Sequence, residues 1–255
     1  GAIADNVRHK KLFLIISTII TVILTMLLAT AGEGEIIKGS VLVILASIFY
    51  YFSTLFYDSF IFDVSDKESA GKISGFSWGF GYLGGLVVLM IVAPLVRNGI
   101  APDNISNYQF SFVVAGLFFL IFALPMFFFV RQKKTDDGAN VFKRDVSHVF
   151  RDILDIWKER KMHRNFFLLV LAFFFYNDAL STLFAFVAIF AQFTIGMTIA
   201  EITTLMFVVQ LLAFPASWFF GALSDILGQK TIIMTTLTIV LVFSSMAAFV
   251  SSKTL

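Results

Sequence analysis

Long apolar runs separated by polar segments dominate the pattern of this chain. Seven runs reach the roughly 20 residues that a helix needs to cross the hydrocarbon core of a bilayer. They are residues 12–31, 41–62, 75–96, 110–130, 165–190, 202–222 and 231–250. None alternates with the two-residue period of a membrane β-strand, so each run is expected to be a helix that closes its own backbone hydrogen bonds. The pattern predicts an all-α integral membrane protein with seven transmembrane helices.

Composition supports the same class. The 255 residues are 58% hydrophobic and 14% charged, whereas soluble domains average about 45–50% and about 25%. A soluble domain and a nucleic-acid-binding protein are excluded. The chain has no cysteine, and its three histidines lack the spacing of metal ligands. We therefore expect the lipid bilayer as a partner, and neither a cofactor nor a bound metal.

The basic residues are strongly asymmetric across the alternating loops. Sixteen of the 19 Lys and Arg residues fall on one side, and only Lys38, Arg97 and Lys253 fall on the other. Because cytoplasmic loops carry the excess of Lys and Arg, residues 1–11, 63–74, 131–164 and 223–230 are predicted to be cytoplasmic.

The segment 131–164 is the longest polar connection, and it predicts a division of the chain into three parts. Residues 1–130 form one helical group, 131–164 a central cytoplasmic loop, and 165–255 a second helical group. Within the loop, apolar residues from Val146 to Trp157 recur at helical spacing and predict an amphipathic helix. Such a helix would serve either as a strap between the two groups or as a regulatory or partner site.

A short repeat lies at two equivalent places in the predicted topology. Gly1-Ala2-Ile3-Ala4-Asp5 with Lys10 recurs 220 residues later as Gly221-Ala222-Leu223-Ser224-Asp225 with Lys230. Each copy lies on the predicted cytoplasmic side and leads directly into an apolar run. Internal repeats of this kind are typical of secondary transporters.

Both copies resemble the cytoplasmic motif G-x-[LI]-x-D-x-x-G-x-[RK] of the major facilitator superfamily. The resemblance implies a fold of two pseudo-symmetric helical halves, in which the seven runs look like helices 3 to 9 of twelve and pack against the remaining helices of the same fold. It also implies a cytoplasmic gate made by the motif residues. These are Asp5, Lys10, Gly221, Asp225, Gly228 and Lys230.

Two further stretches resemble the vacuole-effluxer-like branch of that superfamily. One is Ile73–Gly85, which contains S-G-F-S-W-G-F-G-Y-L-G-G, and the other is Phe175-Tyr176-Asn177-Asp178. Because members related to the autophagy permease are associated with amino-acid export from the vacuole, the resemblance implies transport of an amino acid or related metabolite. It places the protein in the cell (inner) membrane, or in the vacuolar membrane if the source is a fungus.

Asp178 is the most unusual acidic residue, because it lies near the midpoint of the run 165–190. A carboxylate at that depth costs roughly 2.5–3.5 kcal/mol on insertion scales, so it should face a cavity or a partner. Asn177 and Ser181 lie four residues apart and extend the polar face. These three residues predict a site for substrate or proton coupling, with a structural hydrogen bond as the alternative.

Other polar and small residues at mid-membrane depth complete the candidate set. Gln210 and Tyr51 are further candidates for contact with substrate, although packing would also explain a tyrosine in so aromatic a chain. Small residues four apart permit close helix contact, and the resemblance implies that this run faces helix 8 of the other half. The predicted packing residues are Gly75, Gly79, Gly81 and Gly85. No strand precedes the G-x-G-x-x-G string at 79–84, so it does not predict a nucleotide site.

Three functional classes are open to such a membrane protein. The first is a secondary transporter that moves a small polar solute by alternating access, with or without coupling to protons. The second is a transporter-like receptor or scaffold that binds without transport. The third is a membrane enzyme, for which the sequence shows no convergent catalytic set. The midplane charge and the repeated gate motif favour the transporter.

Overall fold

The computed structural model describes residues 10–66, 68–96, 103–130, 132 and 164–247. In these ranges all regular structure is helical. The first copy of the repeat up to Asp5, and the predicted amphipathic helix in the central loop, lie outside the described residues.

Eight α-helices follow one another along the described chain. They are α1 (Lys10–Leu27), α2 (Ile36–Ser59), α3 (Ile61–Val64), α4 (Ala70–Val96), α5 (Ile105–Phe129), α6 (Arg164–Phe193), α7 (Ile199–Leu227) and α8 (Gln229–Ala247). All except α3 are long and apolar enough to cross a membrane, α1 together with the 3-10 turn that follows it. The predicted all-α fold with seven membrane helices is confirmed.

The helices differ from the apolar runs mainly at their starts. The runs predicted at 41, 75 and 110 begin five residues earlier, at Ile36, Ala70 and Ile105. Polar residues and glycines at a helix end lower the local hydropathy but do not stop the backbone from forming helical hydrogen bonds. The run 41–62 is divided, because α2 ends at Ser59 and the short α3 follows it.

The chain forms two compact units, and each is made of segments that are not contiguous in the sequence. The first contains the described residues up to 132 together with Phe207–Asp225, and the second contains the described residues of 142–206 and 226–255. Helix α7 therefore contributes to both units. The predicted division at 131–164 stays a prediction.

In the first unit, α1 packs against α2 and α5. Leu14 of α1 forms a buried cluster with Phe56 and Phe60. Deeper along the pair, the hydroxyls of Thr18 and Ser53 are buried and lie 3.0 Å apart in a hydrogen bond between α1 and α2. Because lipid offers hydroxyls no partner, such bonds between helices satisfy groups that would otherwise be costly to bury.

Both ends of the α1–α5 pair are held by hydrogen bonds to backbone carbonyls. Lys11 Nζ donates to the carbonyl oxygen of Val130, 2.8 Å away, just after α5 ends. At the opposite end, Gln109 Nε2 donates to the carbonyl oxygen of Ala31 at 3.0 Å. A cation is favoured at a helix C-terminus because the last carbonyls lack intrahelical partners.

In the second unit, α7 begins with a reciprocal capping box. Glu201 Oε2 accepts the backbone N–H of Thr198 at 2.6 Å, and Thr198 Oγ1 accepts the N–H of Glu201 at 3.3 Å. The T-x-x-E spacing is the usual sequence signature of this cap. It fixes where the helix starts.

The uneven distribution of Lys and Arg between the two sides predicts the orientation of the protein in the membrane, and exposed loop residues allow a test. Glu33 and Glu68 are both exposed and lie on opposite sides in the predicted orientation. Single cysteines at these positions should react differently with a membrane-impermeant maleimide in intact cells: Glu33→Cys should be labelled, and Glu68→Cys only after permeabilisation. Labelling of position 68 but not 33 in intact cells would reverse the proposed orientation.

Candidate functional site

Helices α4 and α7 approach each other so closely that their backbones touch. A Cβ placed on Gly75 would lie against the carbonyl oxygen of Ser217 and 2.9 Å from the Cα of Gly221. A Cβ on Gly221 would lie 2.5 Å from the carbonyl oxygen of Gly71. Only glycine fits at a contact in which the obstructing atoms belong to the backbone of the other helix.

This contact follows two matching patterns that run in opposite directions. The pattern on α4 is Gly71-x3-Gly75-x3-Gly79, and the pattern on α7 is Ser217-x3-Gly221-x3-Asp225. Gly79 is buried, and a Cβ there would lie 2.9 Å from both the ring of Phe214 and the hydroxyl of Ser217. Residues four apart share a helix face, so the two turns of α4 from Gly71 to Gly79 form one side of the contact. We call these six residues the α4–α7 seam.

Gly81, one of the predicted packing residues, lies outside the described contact with α7. A Cβ on Gly81 would meet no described atom within 4 Å. The reason is helical geometry, since two residues turn the helix by about 200° and Gly81 therefore points almost opposite to Gly79. Gly85 is approached instead by the end of a long side chain, the amide of Gln210.

The carboxylate of Asp225 caps the beginning of α4. Its Oδ1 accepts the backbone N–H of Gly71 at 2.9 Å, and its Oδ2 accepts that of Lys72 at 2.7 Å. The first N–H groups of a helix have no intrahelical partner, and they attract a negative charge. The hydroxyl of the preceding residue, Ser69, donates to the carbonyl of Asp66 instead. The cap thus comes from a residue more than 150 positions away.

The other gate candidates do not join Asp225 in the described structure. Neither Lys10, at the start of α1, nor Lys230, which is exposed in the first turn of α8, forms an ion pair with Asp225 in the described part. Gly228 lies between α7 and α8 with φ of 87°, a left-handed conformation that favours glycine and ends a helix. Asp5 lies outside the described residues.

The midplane candidates fall on different helices. Asp178 is at the midpoint of α6, about 21 Å from its first residue at 1.5 Å per residue. Asn177, Asp178 and Ser181 are all exposed, and none forms a hydrogen bond or ion pair with a described residue. Tyr51 is 65% exposed on α2, where its ring packs edge-on against Tyr50.

Gly71 is a seam residue that the sequence analysis missed. It was overlooked because it precedes the apolar run predicted to begin at residue 75. The signal was present in the sequence as a third glycine at four-residue spacing. Its backbone N–H is also one of the two groups that Asp225 caps.

Comparison with known proteins identifies the family. The family model described as "Vacuole effluxer Atg22 like" matches residues 1–70 and 62–252, almost the whole chain. The chain belongs to the Atg22-like family. It is also 25% identical over 261 residues to an uncharacterized MFS-type transporter, YxiO, of Bacillus subtilis (strain 168), covering 99% of this chain and 59% of that protein. No solved structure matches the chain.

These similarities confirm the resemblance inferred from the motifs. The protein is an integral membrane protein of an MFS-type transporter family. Within this Atg22-like chain, the second copy of the family motif supplies Gly221 to the seam and Asp225 to the cap.

The backbone contact at the seam predicts that added volume will separate the helices. Gly75→Ala should destabilise the purified protein by about 1–3 kcal/mol, the usual cost of overpacking, and lower its melting temperature by several degrees. Gly84→Ala is the matched control, because a Cβ there meets nothing within 4 Å. Equal melting temperatures for the two variants would contradict the close contact.

The cap predicts that the charge of Asp225 stabilises the contact between α4 and α7. Asp225→Asn should weaken it by about 1–2 kcal/mol, which should speed maleimide labelling of a cysteine placed at Ser217 in the seam. Asp66→Asn removes an exposed carboxylate and is the control. If both variants leave the labelling rate at Ser217 unchanged, the cap does not hold the seam.

Proposed function

We propose that the protein is a secondary active transporter of a small polar solute, an amino acid or related metabolite, that works by alternating access. The membrane is the cell (inner) membrane, or the vacuolar membrane if the source is a fungus. Membership of an MFS-type transporter family supports the proposal. The observation that carries it is the carboxylate of Asp178 at the midpoint of α6, without a partner among the described residues.

A carboxylate in this position must meet a polar group when the protein is in a bilayer. Lipid cannot solvate it, so either a charged solute, a proton or another part of the whole protein has to compensate it. Asn177 and Ser181 add an amide and a hydroxyl to the same stretch of α6 and are likewise unpartnered in the described structure. Together they suit a zwitterionic solute, which presents both an ammonium group and hydrogen-bond acceptors.

The seam supports the alternating-access part of the proposal. At Gly75 and Gly221 the two helices meet backbone to backbone, so this part of the contact is close when shut and has no interlocking side chains to break when it opens. A difference of about 1.4 kcal/mol between two states changes their ratio tenfold, which is within the range expected for a single cap. We infer that the structure represents the state closed at the predicted cytoplasmic end of α4 and α7.

Transport itself is tested in proteoliposomes containing the full-length protein. A panel of labelled amino acids is offered with and without a pH gradient, and uptake above empty liposomes is measured. Flux of at least one solute is expected. Saturable binding without flux would instead favour a receptor, and the absence of both would contradict the proposed function.

Asp178→Asn separates the two roles open to this carboxylate. If Asp178 pairs with a solute ammonium, the variant should lose binding at every pH. If it carries the coupling proton, binding and exchange should survive while gradient-driven uptake disappears. Asp103→Asn, in an exposed loop, is the control for loss of one negative charge. Wild-type binding, exchange and driven uptake in Asp178→Asn would show that the residue is only structural.

A further inference from the structure

The terminal amide of Gln210 occupies the space that any side chain at Gly85 would fill. A Cβ built on Gly85 would lie 2.5 Å from Oε1, 2.9 Å from Nε2 and 3.1 Å from Cδ of Gln210. All three atoms belong to the amide group, and none to the backbone of α7. Gly85 therefore differs from Gly75, where an added Cβ would meet only backbone atoms of α7.

The amide lies near mid-depth in both helices. Gly85 is two residues from the midpoint of α4, and Gln210 is three residues from the midpoint of α7. Gln210 is half-buried, and its amide forms no hydrogen bond with any described residue. A primary amide has two donor hydrogens and two acceptor lone pairs, and leaving them unused in an apolar medium is costly.

We propose that Gly85 is a positioning residue that lets the Gln210 amide lie across α4 with its hydrogen-bonding groups free for the transported solute. This inference rests on the proposed function and extends it to a second helix. The amide both donates and accepts hydrogen bonds. It therefore suits a solute group that also does both, such as the side-chain amide of asparagine or glutamine or a side-chain hydroxyl. A simple ion would use only the donors or only the acceptors of the amide.

The expected effect is specific to Gly85, because two nearby glycines lack its contact with Gln210. A Cβ on Gly81 or Gly84 would meet no described atom within 4 Å, so alanine fits at both. At Gly85 alanine would displace the amide head of a flexible side chain and leave the helix backbones where they are. The expected result is a change in solute affinity with little change in the fold.

The experiment measures solute affinity by thermal stabilisation of the purified full-length protein. The probes are the twenty proteinogenic amino acids, each titrated at pH 5.5 and 7.5. For a solute that stabilises the wild type, Gly85→Ala should raise the half-saturating concentration about two- to tenfold, the effect of one neutral hydrogen bond. The factor should be equal at both pH values because an amide does not titrate. Gly84→Ala should leave the concentration unchanged.

A double-variant cycle isolates the role of Gln210. Gln210→Ala should weaken solute binding at least as much as Gly85→Ala does. The double variant should bind the solute no more weakly than Gln210→Ala alone. The inference is overturned if the two effects multiply, if Gly85→Ala behaves like Gly84→Ala, or if no probe stabilises the wild type. Binding with these patterns but without flux in proteoliposomes would refute the proposed transport and leave the positioning role of Gly85 intact.

Discussion

The contact between the backbones of α4 and α7 at Gly75 and Gly221 sets the arrangement of the polar groups along both helices. In lipid, apolar side chains gain little by leaving their surroundings, so helices associate through close van der Waals packing and interhelical hydrogen bonds. Once the two backbones touch, their register is fixed. Asp225 then reaches the first N–H groups of α4 at one end of the contact. Beyond the other end, near the middle of both helices, Gln210 reaches Gly85.

Polar side chains inside the membrane helices fall into two groups. Many hydroxyls are satisfied locally, as in Thr21, which donates to the carbonyl of Ser17, or between helices, as in the bond between Thr18 and Ser53. The amide of Gln210 and the carboxylate of Asp178 have no such partner among the described residues. The first group accounts for stability, and the second has hydrogen-bonding capacity that a solute can use.

Helix ends are stabilised in two ways with different consequences. The capping box of Thr198 and Glu201 is local, so it forms whenever α7 forms. The caps supplied by Asp225 to α4 and by Lys11 after α5 come from distant segments. A distant cap is lost when the two elements separate, so its free energy depends on conformation as well as on folding. This is the property that a gate requires.

The sequence by itself determined the seven membrane helices, because the length of an apolar run and the demand for backbone hydrogen bonds in lipid leave no other structure. The four-residue spacing of Gly75 and Gly79 was predicted in the same way, since it depends on local helical geometry. The capping box before α7 also has a local signature, T-x-x-E, although the sequence analysis did not use it. Glycines recur at four-residue spacing on two faces of α4, as Gly71, Gly75 and Gly79 and as Gly81 and Gly85. Only the tertiary structure decided that the backbone of α7 packs on the first, because the face in contact depends on how the partner helix crosses. It alone also paired Asp225 with the start of α4 and Gln210 with Gly85, since contacts between residues more than 100 positions apart follow from packing.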